Sequence, residues 1–227
     1  MWLNNSPIGR KVVMSLTGIS LILFLTFHCC MNVVAFFSGD AYNEVCKFLG
    51  SNWYAVLGTA ALAFLAVVHI IYAFILTAQN RRARGNQRYE VTSRRPEVSW
   101  ASQNMLVLGL IVLLGLVLHL YNFWGHMMFA ELAEIKFAHD PSDGFAWIQE
   151  TFSNPVYSVL YLIWIVAIWF HLSHGFWSSM QTLGISGKIW LKRWQCIGIV
   201  YVTILMGVYA LLVLSFWLAF APSMCLA

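Results

Sequence analysis

Four of the seven histidines in this chain stand apart, because each lies inside a long stretch of sequence that contains no charged residue. They are His28, His69, His119 and His171. An imidazole in hydrocarbon is costly unless something binds it. One such ring on each of four successive stretches predicts a shared partner, and haem iron, which accepts axial histidine ligands, is the partner that fits the pattern.

The uncharged stretches are long enough to form membrane-spanning helices. They cover residues 12–39, 48–80, 98–130, 151–187 and 194–227, whereas about 20 residues cross a hydrocarbon core. The chain is 60% hydrophobic and 10% charged, with a mean hydropathy of +0.73, which excludes an ordinary soluble domain. We predict an all-α integral membrane protein, a single membrane domain over residues 1–227, with five transmembrane helices at roughly 11–37, 53–79, 102–124, 155–180 and 195–220.

Several segments suggest no chemistry of their own. The first stretch follows two basic residues, but its apolar part exceeds the ~7–15 residues of a signal peptide, so we expect it to be retained.

The five cysteines include no C-x-x-C motif, which argues against covalent haem attachment and against a zinc or iron–sulfur site. The fifth stretch has no histidine, and we predict an outer helix facing lipid or a partner. Residues 128–138 are predicted to form a short interfacial helix.

The charges divide the loops into two classes. Eleven of the thirteen basic residues precede the first helix or lie in the second and fourth loops: Arg10, Lys11, Arg81, Arg82, Arg84, Arg88, Arg94, Arg95, Lys188, Lys192 and Arg193. The first and third loops carry Asp40, Glu44, Lys47, Glu131, Glu134, Lys136, Asp140, Asp143 and Glu150. The positive-inside rule places the N-terminus in the cytoplasm and the C-terminus outside. The arginine-rich second loop serves topology alone or also docks a partner.

The helix directions fix the depth of each histidine, since each residue of a helix rises about 1.5 Å. His28 and His119 both lie roughly 25 Å from the basic side, and His69 and His171 both lie roughly 15 Å from it. The two levels pair the first helix with the third and the second with the fourth. These are diagonal partners in an up-down four-helix bundle, so the spacing predicts two haems, each between two histidines. His174, one turn after His171, stays an alternative ligand on spacing alone.

Several motifs, taken in order along the chain, resemble a known family. They are Ser6-Pro7-Ile8-Gly9-Arg10-Lys11, then Met14-Ser15-Leu16-Thr17-Gly18 with His28, His69-x-x-Tyr72 with Thr77-Ala78-Gln79-Asn80-Arg81, His119-Leu120-Tyr121, and Phe170-His171 followed by Gly175-Phe176-Trp177-Ser178. Together they resemble the five-helix, di-haem cytochrome b558 subunit of bacterial succinate:quinone and quinol:fumarate reductases. The resemblance covers essentially the whole chain.

The resemblance implies a membrane anchor that carries electrons between an iron–sulfur subunit and membrane menaquinone. A flavoprotein subunit and the iron–sulfur subunit would sit on the cytoplasmic side of a bacterial inner membrane, and this chain would not touch succinate or fumarate. The resemblance also implies two haem b groups, one held by His28 and His119 and the other by His69 and His171 in preference to His174. His174 would then lie near a haem propionate or be hydrogen-bonded.

One position departs from the family pattern. Some di-haem fumarate reductases carry a glutamate two residues before the ligand of the fourth helix, where it is linked to transmembrane proton movement. This chain has Trp169 there, which puts that proton-compensated mechanism in doubt.

Quinone and propionate contacts are less clearly marked in the sequence. A quinone needs an apolar slot and a group that exchanges protons, and the first loop offers Tyr42 and Glu44, with Asn43 between them. Propionates need hydroxyl, indole or basic donors at the membrane edge, for which the candidates are Ser15, Trp100 and Arg10.

Two other functions compete with this one. The chain has the size and histidine content of the cytochrome b subunit of a hydrogenase or a formate dehydrogenase. A transporter or proton channel would need acids within the membrane and broken helices, and none of the five stretches contains an Asp, Glu, Lys or Arg.

Overall fold

The computed structural model describes residues 6–50, 52–84 and 100–220, and this part of the chain is helical with no β-strand. Its helices are α1 (Pro7–Val33), α2 (Gly39–Phe48), α3 (Trp53–Arg84), α4 (Trp100–Gln103), α5 (Met105–His119), α6 (Ala130–Leu132), α7 (Gly144–Ser153), α8 (Pro155–Thr182) and α9 (Lys188–Phe220). A 3₁₀ turn extends α1, and a π-helix, Leu120–Phe129, joins α5 to α6. Five segments are long and apolar enough to cross a membrane, and they contain α1, α3, α5, α8 and α9. The chain is therefore a multi-pass membrane protein.

The helix ends are set by capping groups and not by the first charged residue. Ser6 accepts a hydrogen bond from the Gly9 backbone at 2.9 Å, with Pro7 in the first turn, so α1 begins earlier than predicted. Asn154 caps α8 in the same way, and its predicted start at residue 155 is confirmed. Helices α3 and α9 extend over basic residues that were predicted to lie outside them. Charged side chains at a membrane edge do not interrupt the backbone hydrogen bonds of a helix, so both helices continue through these residues.

The membrane-spanning helices pack unequally. Helix α1 contacts both α3 and α8, and α8 also contacts α5. Helix α9 packs along α8 and touches α1, and it buries an apolar face made of Val202, Leu205, Met206, Leu212, Val213 and Phe216. One face of this last helix thus forms part of the protein core, whereas its other face, with Ile204, Leu211 and Leu218, is exposed as expected of an outer helix.

The two ends of the molecule carry opposite charge. We call the basic end the one with Arg10 and Lys11 of α1, Arg81 and Arg82 of α3, and Lys188, Lys192 and Arg193 of α9. At the acidic end, α2 and α7 lie against each other. Asn43 donates to the Asp143 carboxylate at 2.8 Å and accepts from the Phe145 backbone at 2.9 Å. Residues 85–99, which hold the rest of the arginine-rich loop, lie outside the described residues.

The third loop differs from its prediction. Helical structure after α5 ends at Leu132, and residues 133–143 form turns and irregular backbone. The predicted interfacial helix at 128–138 is therefore wrong, and α7 supplies the short helix of this loop instead. The Asp143 side chain caps α7 by accepting from the Ala146 backbone at 3.1 Å, whereas no side chain caps α6.

Candidate functional site

The structure brings the four membrane histidines together in two pairs, each built from helices that do not follow one another in the chain. The rings of His28 on α1 and His119 on α5 have centroids 5.8 Å apart. The rings of His69 on α3 and His171 on α8 have centroids 6.4 Å apart. All four side chains are partly buried. We call these the acidic-end pair and the basic-end pair.

The acidic-end pair is enclosed by aromatic side chains. The His28 ring lies 5.6 Å from Phe24 and 5.9 Å from Tyr209 of α9. The His119 ring lies 5.2 Å from Phe123 and 5.6 Å from Trp164. The π-helix begins directly after His119, and π-helical turns are frequent at functional sites. The walls of this site are therefore mainly aromatic rings.

Small residues surround the basic-end pair instead. Gly18 of α1 faces His69, and a Cβ at that position would lie 3.3 Å from the His69 Cε1 atom. Gly109 of α5 faces His171, where an added Cβ would lie 3.8 Å from Cε1. Glycine at these two positions lets the neighbouring helices approach the rings closely.

The geometry of both pairs fits two imidazoles that share one metal ion. With metal–nitrogen bonds of about 2 Å on opposite sides of the ion, the ring centroids lie about 6 Å apart. The observed separations, 5.8 and 6.4 Å, bracket that value. In a haem the macrocycle supplies the remaining ligands, so two histidines complete the coordination of the iron.

Three membrane histidines have a ring nitrogen without a partner. In the described part of the chain, the Nδ1 atoms of His119, His171 and His174 are buried without a hydrogen-bond partner. A buried polar atom left in that state costs about 1–3 kcal/mol. Because His174 shares this state, it does not by itself identify a metal ligand.

The other member of each pair is hydrogen-bonded by a hydroxyl from a different helix. The Nδ1 atom of His28 lies 2.9 Å from the Tyr209 hydroxyl of α9. The Nδ1 atom of His69 lies 3.1 Å from the Thr17 hydroxyl of α1. The sequence analysis assigned no role to either hydroxyl. Residue spacing could not have identified Tyr209, which follows His28 by 181 positions.

The structure also distinguishes His171 from His174, the alternative ligand candidate on the same helix. His171 contacts the His69 ring, whereas the His174 ring packs against Trp177 with centroids 4.9 Å apart. His174 Nδ1 is likewise buried and unpartnered in the described residues. His171 is therefore the member of α8 that faces another histidine.

The three propionate candidates lie toward the basic end. Ser15 is buried on α1, two residues before Thr17, and Arg10 is partly buried one to two turns earlier. Trp100 is largely exposed and packs at a tilt against Phe170, the residue before His171, with centroids 5.1 Å apart. All three thus lie at or near the helix ends next to the basic-end pair.

The two quinone candidates occupy different environments. The Tyr42 ring is buried and its hydroxyl donates to the Asn32 side chain at 3.1 Å. Asn32 in turn donates to the His28 backbone carbonyl at 2.8 Å, which links Tyr42 to the acidic-end pair. Glu44 is exposed and pairs with Lys47 at 2.7 Å. Residues two apart on a helix do not face each other, so α2 separates Tyr42 from Glu44.

Burial changes the acid–base properties of the acidic end. The pKa of Tyr42 is raised well above its ordinary value, first by burial and then by the neighbouring Cys46. Burial also raises the pKa of Cys46 to about 11. In the exposed loop, hydrogen bonds from Ser142 lower the pKa of Asp140. Tyr42 is thus a neutral hydrogen-bond donor at physiological pH.

Comparison of the chain with protein-family models, with curated proteins and with solved structures finds no match in any of the three. The functional argument therefore rests on the residues and their geometry.

Proposed function

We propose that this chain is the di-haem cytochrome b membrane anchor of a succinate:quinone oxidoreductase or quinol:fumarate reductase, carrying electrons between an iron–sulfur subunit and membrane menaquinone. The observation that carries the proposal is the meeting of four histidines from four helices in two separate pairs, with ring centroids 5.8 and 6.4 Å apart. Structural histidines have no reason to pair in this way at two depths.

His28 and His119 would hold one haem b, and His69 and His171 would hold the other. When bound, haem supplies a one-electron redox centre whose potential depends on its axial ligands and surroundings. With two histidines holding each haem, the iron would have no position open for a substrate. The protein's part is to hold the rings, exclude water with Phe24, Phe123 and Trp164, and place the two pairs on opposite halves of the membrane.

Charge supports the assignment of sides. The basic end would face the cytoplasm, following the positive-inside rule, so the chain starts inside and α9 runs outward. The flavoprotein and iron–sulfur subunits would dock at this end, next to the basic-end pair. The acidic-end pair would then lie near the outer face of the bacterial inner membrane.

Menaquinone would react near the acidic-end pair. Tyr42 supports this placement because its hydroxyl reaches His28 through Asn32. Glu44, exposed and paired with Lys47, would at most exchange protons with the outer solution. Trp169 replaces the family's glutamate, and its indole donates to Thr203 of α9 at 2.9 Å. Position 169 therefore provides no carboxylate for proton movement.

Redox-titrated optical spectra of the purified chain and its complex test the proposal. We expect a b-type α band, two haems per chain and co-purification with a flavoprotein. Replacing His28 or His119 by alanine should remove one and the same haem, and replacing His69 or His171 should remove the other. His126→Ala is the matched control, because His126 packs against Phe137 and Trp147 and should retain both haems.

Three results would contradict the proposal. A gently purified chain without haem would exclude any cytochrome. Loss of a haem in His174→Ala together with retention of both in His171→Ala would overturn the assignment on α8. Co-purification with a nickel or molybdenum subunit would identify the hydrogenase or formate dehydrogenase class instead.

A further inference from the structure

The Tyr209 hydroxyl of α9 has two neighbours with different hydrogen-bonding capacities. It lies 2.9 Å from the backbone carbonyl of Leu25 and 2.9 Å from His28 Nδ1. A carbonyl can only accept, so the single hydroxyl hydrogen goes to Leu25. The hydroxyl oxygen then accepts from His28, which places a hydrogen on Nδ1.

Asn32 is the other polar neighbour of the His28 ring. Its amide nitrogen lies 2.8 Å from the His28 backbone carbonyl, and 3.3 and 3.4 Å from the ring nitrogens Nδ1 and Nε2. An amide nitrogen carries two hydrogens and can only donate, so Asn32 gives one to the carbonyl and its second faces the ring nitrogen without a hydrogen. Tyr209, which has the shorter contact to Nδ1, is the neighbour that accepts the ring hydrogen.

Thr17 has the same arrangement at the basic-end pair. Its hydroxyl lies 2.9 Å from the Val13 carbonyl and 3.1 Å from His69 Nδ1. The hydroxyl hydrogen goes to the carbonyl of its own helix, as is common for threonine in helices. The oxygen then faces Nδ1 of His69 as an acceptor, and the His69 ring also hydrogen-bonds the Met14 backbone carbonyl of the same helix α1.

The rings of His28 and His69, which we call the anchored rings, thus have the same tautomer, with the hydrogen on Nδ1. A neutral imidazole carries one ring hydrogen, so a hydrogen on Nδ1 leaves a lone pair on Nε2, the atom through which a metal would bind; at His28 this atom lies 3.4 Å from the Asn32 amide nitrogen. His119 and His171, whose Nδ1 atoms are unpartnered in the described residues, have no such constraint. Each pair therefore combines one anchored and one unanchored ring.

We propose that Tyr209 and Thr17 are positioning residues of the two haem sites, each fixing the tautomer and plane of one axial histidine. This inference rests on the proposed function. It makes α9, which carries no ligand, part of the acidic-end site. A hydrogen bond donated by the second ring nitrogen raises the basicity of a ligating histidine. Greater basicity favours ferric over ferrous iron and lowers the midpoint potential.

Potentiometric titration of the purified full chain, loaded with haem, tests the proposal through each haem's midpoint potential. Tyr209→Phe should raise the potential of only the haem that is lost in His28→Ala. The expected change in the ferric-to-ferrous equilibrium is about two- to tenfold, where tenfold corresponds to 59 mV for one electron. Thr17→Val should raise only the other potential, and Thr17→Ser should restore it.

Tyr201→Phe is the matched control on the same helix. Its hydroxyl contacts Thr26 of α1 and no histidine, so both potentials should stay at their wild-type values. If Tyr209→Phe loses one haem while Tyr201→Phe keeps both, the anchoring role is supported, because both hydroxyls bond to α1 but only that of Tyr209 also contacts a histidine.

The outcomes separate this inference from the function it rests on. A wild-type chain with two haems whose potentials do not change in Tyr209→Phe and Thr17→Val overturns the positioning role alone. Equal haem loss in Tyr209→Phe and Tyr201→Phe also overturns it, because that result shows helix packing only. A wild-type chain that binds no haem overturns the proposed function itself.

Discussion

Burying an imidazole in a membrane costs free energy, and the four membrane histidines differ in whether Nδ1 has a hydrogen-bond partner. The Nδ1 atoms of His28 and His69 are hydrogen-bonded to hydroxyls of neighbouring helices. The Nδ1 atoms of His119 and His171 are buried and have no hydrogen-bond partner among the described residues. The proposed iron ligation would give each of the four rings a partner at its other nitrogen.

At the acidic end, Tyr42 and Cys46 have pKa values shifted by burial and lie outside the membrane-spanning segments. For Cys46 the folded protein favours the neutral thiol, because its pKa is raised from 9.0 to about 11. The unfolded chain releases this proton at lower pH. The stability contributed by the buried thiol is therefore present below pH 9 and is lost as the pH rises toward about 11.

We expect Cys46 to react slowly with maleimide in the folded protein. The thiolate is the reactive form, and a rise in pKa of two units lowers its population at pH 8 about a hundredfold. The alkylation rate should rise about tenfold per pH unit up to pH 11. Mass spectrometry of the adduct at each pH measures this rate.

The denatured chain and Cys46→Ser serve as controls for that experiment. In denaturing detergent the same thiol should react at its ordinary rate, and Cys46→Ser should lose the adduct. Equal rates for folded and denatured protein at pH 8 would contradict the burial of this thiol.

At the scale of elements, the contact between α5 and α8 shapes the acidic-end pair. Gly115 of α5 lies directly against the indole of Trp164, and an added Cβ would overlap the ring. The indole donates to the Val112 carbonyl at 2.9 Å and packs on His119. The close approach of these two helices is therefore coupled to the position of a proposed ligand.

Gly115→Ala should destabilise the protein by about 1–3 kcal/mol, the usual cost of overpacking a core. Because Trp164 must move, His119 should move with it. We expect a lower thermal unfolding temperature in detergent and a selective change in the haem that His28 and His119 hold. The other haem should keep its spectrum.

Gly207→Ala on α9 is the matched control, since a Cβ there meets no other atom within 4 Å. This variant should unfold at or slightly above the wild-type temperature, because alanine is the better helix former. If Gly115→Ala behaved like Gly207→Ala, the coupling of Trp164 to His119 would be refuted.

At the scale of the whole molecule, charge separates the two ends. Acidic side chains and the Asn43–Asp143 contact are at one end, and the starts of α1 and α9 and the end of α3 carry the basic residues at the other. In the proposed orientation the basic end faces inward and α9 runs outward.

Labelling with a membrane-impermeant maleimide tests this orientation in intact spheroplasts. In a chain whose native cysteines are replaced by serine, Ala138→Cys should be labelled from outside. Gly187→Cys, matched to it in exposure, should be labelled only after lysis. Labelling of Gly187→Cys in intact spheroplasts would reverse the proposed topology.

The amino-acid sequence was sufficient to predict the five spans, to divide the loops by charge and to predict two depths for the histidines. These features follow from local rules: hydrocarbon thickness fixes span length, basic loops stay inside, and the rise of a helix converts residue number into depth. The start of α8 was predictable for the same reason, because Asn154 and Pro155 form a local signal.

The side chains that surround each histidine can be identified only from the folded structure. Tyr209 reaches His28 because α9 packs against α8 and touches α1, and Thr17 reaches His69 because α1 packs against α3. Neither contact has a period or spacing in the sequence. Helix packing depends on side chains far apart in the chain, so the hydroxyls that hold the rings become visible only when the helices are assembled.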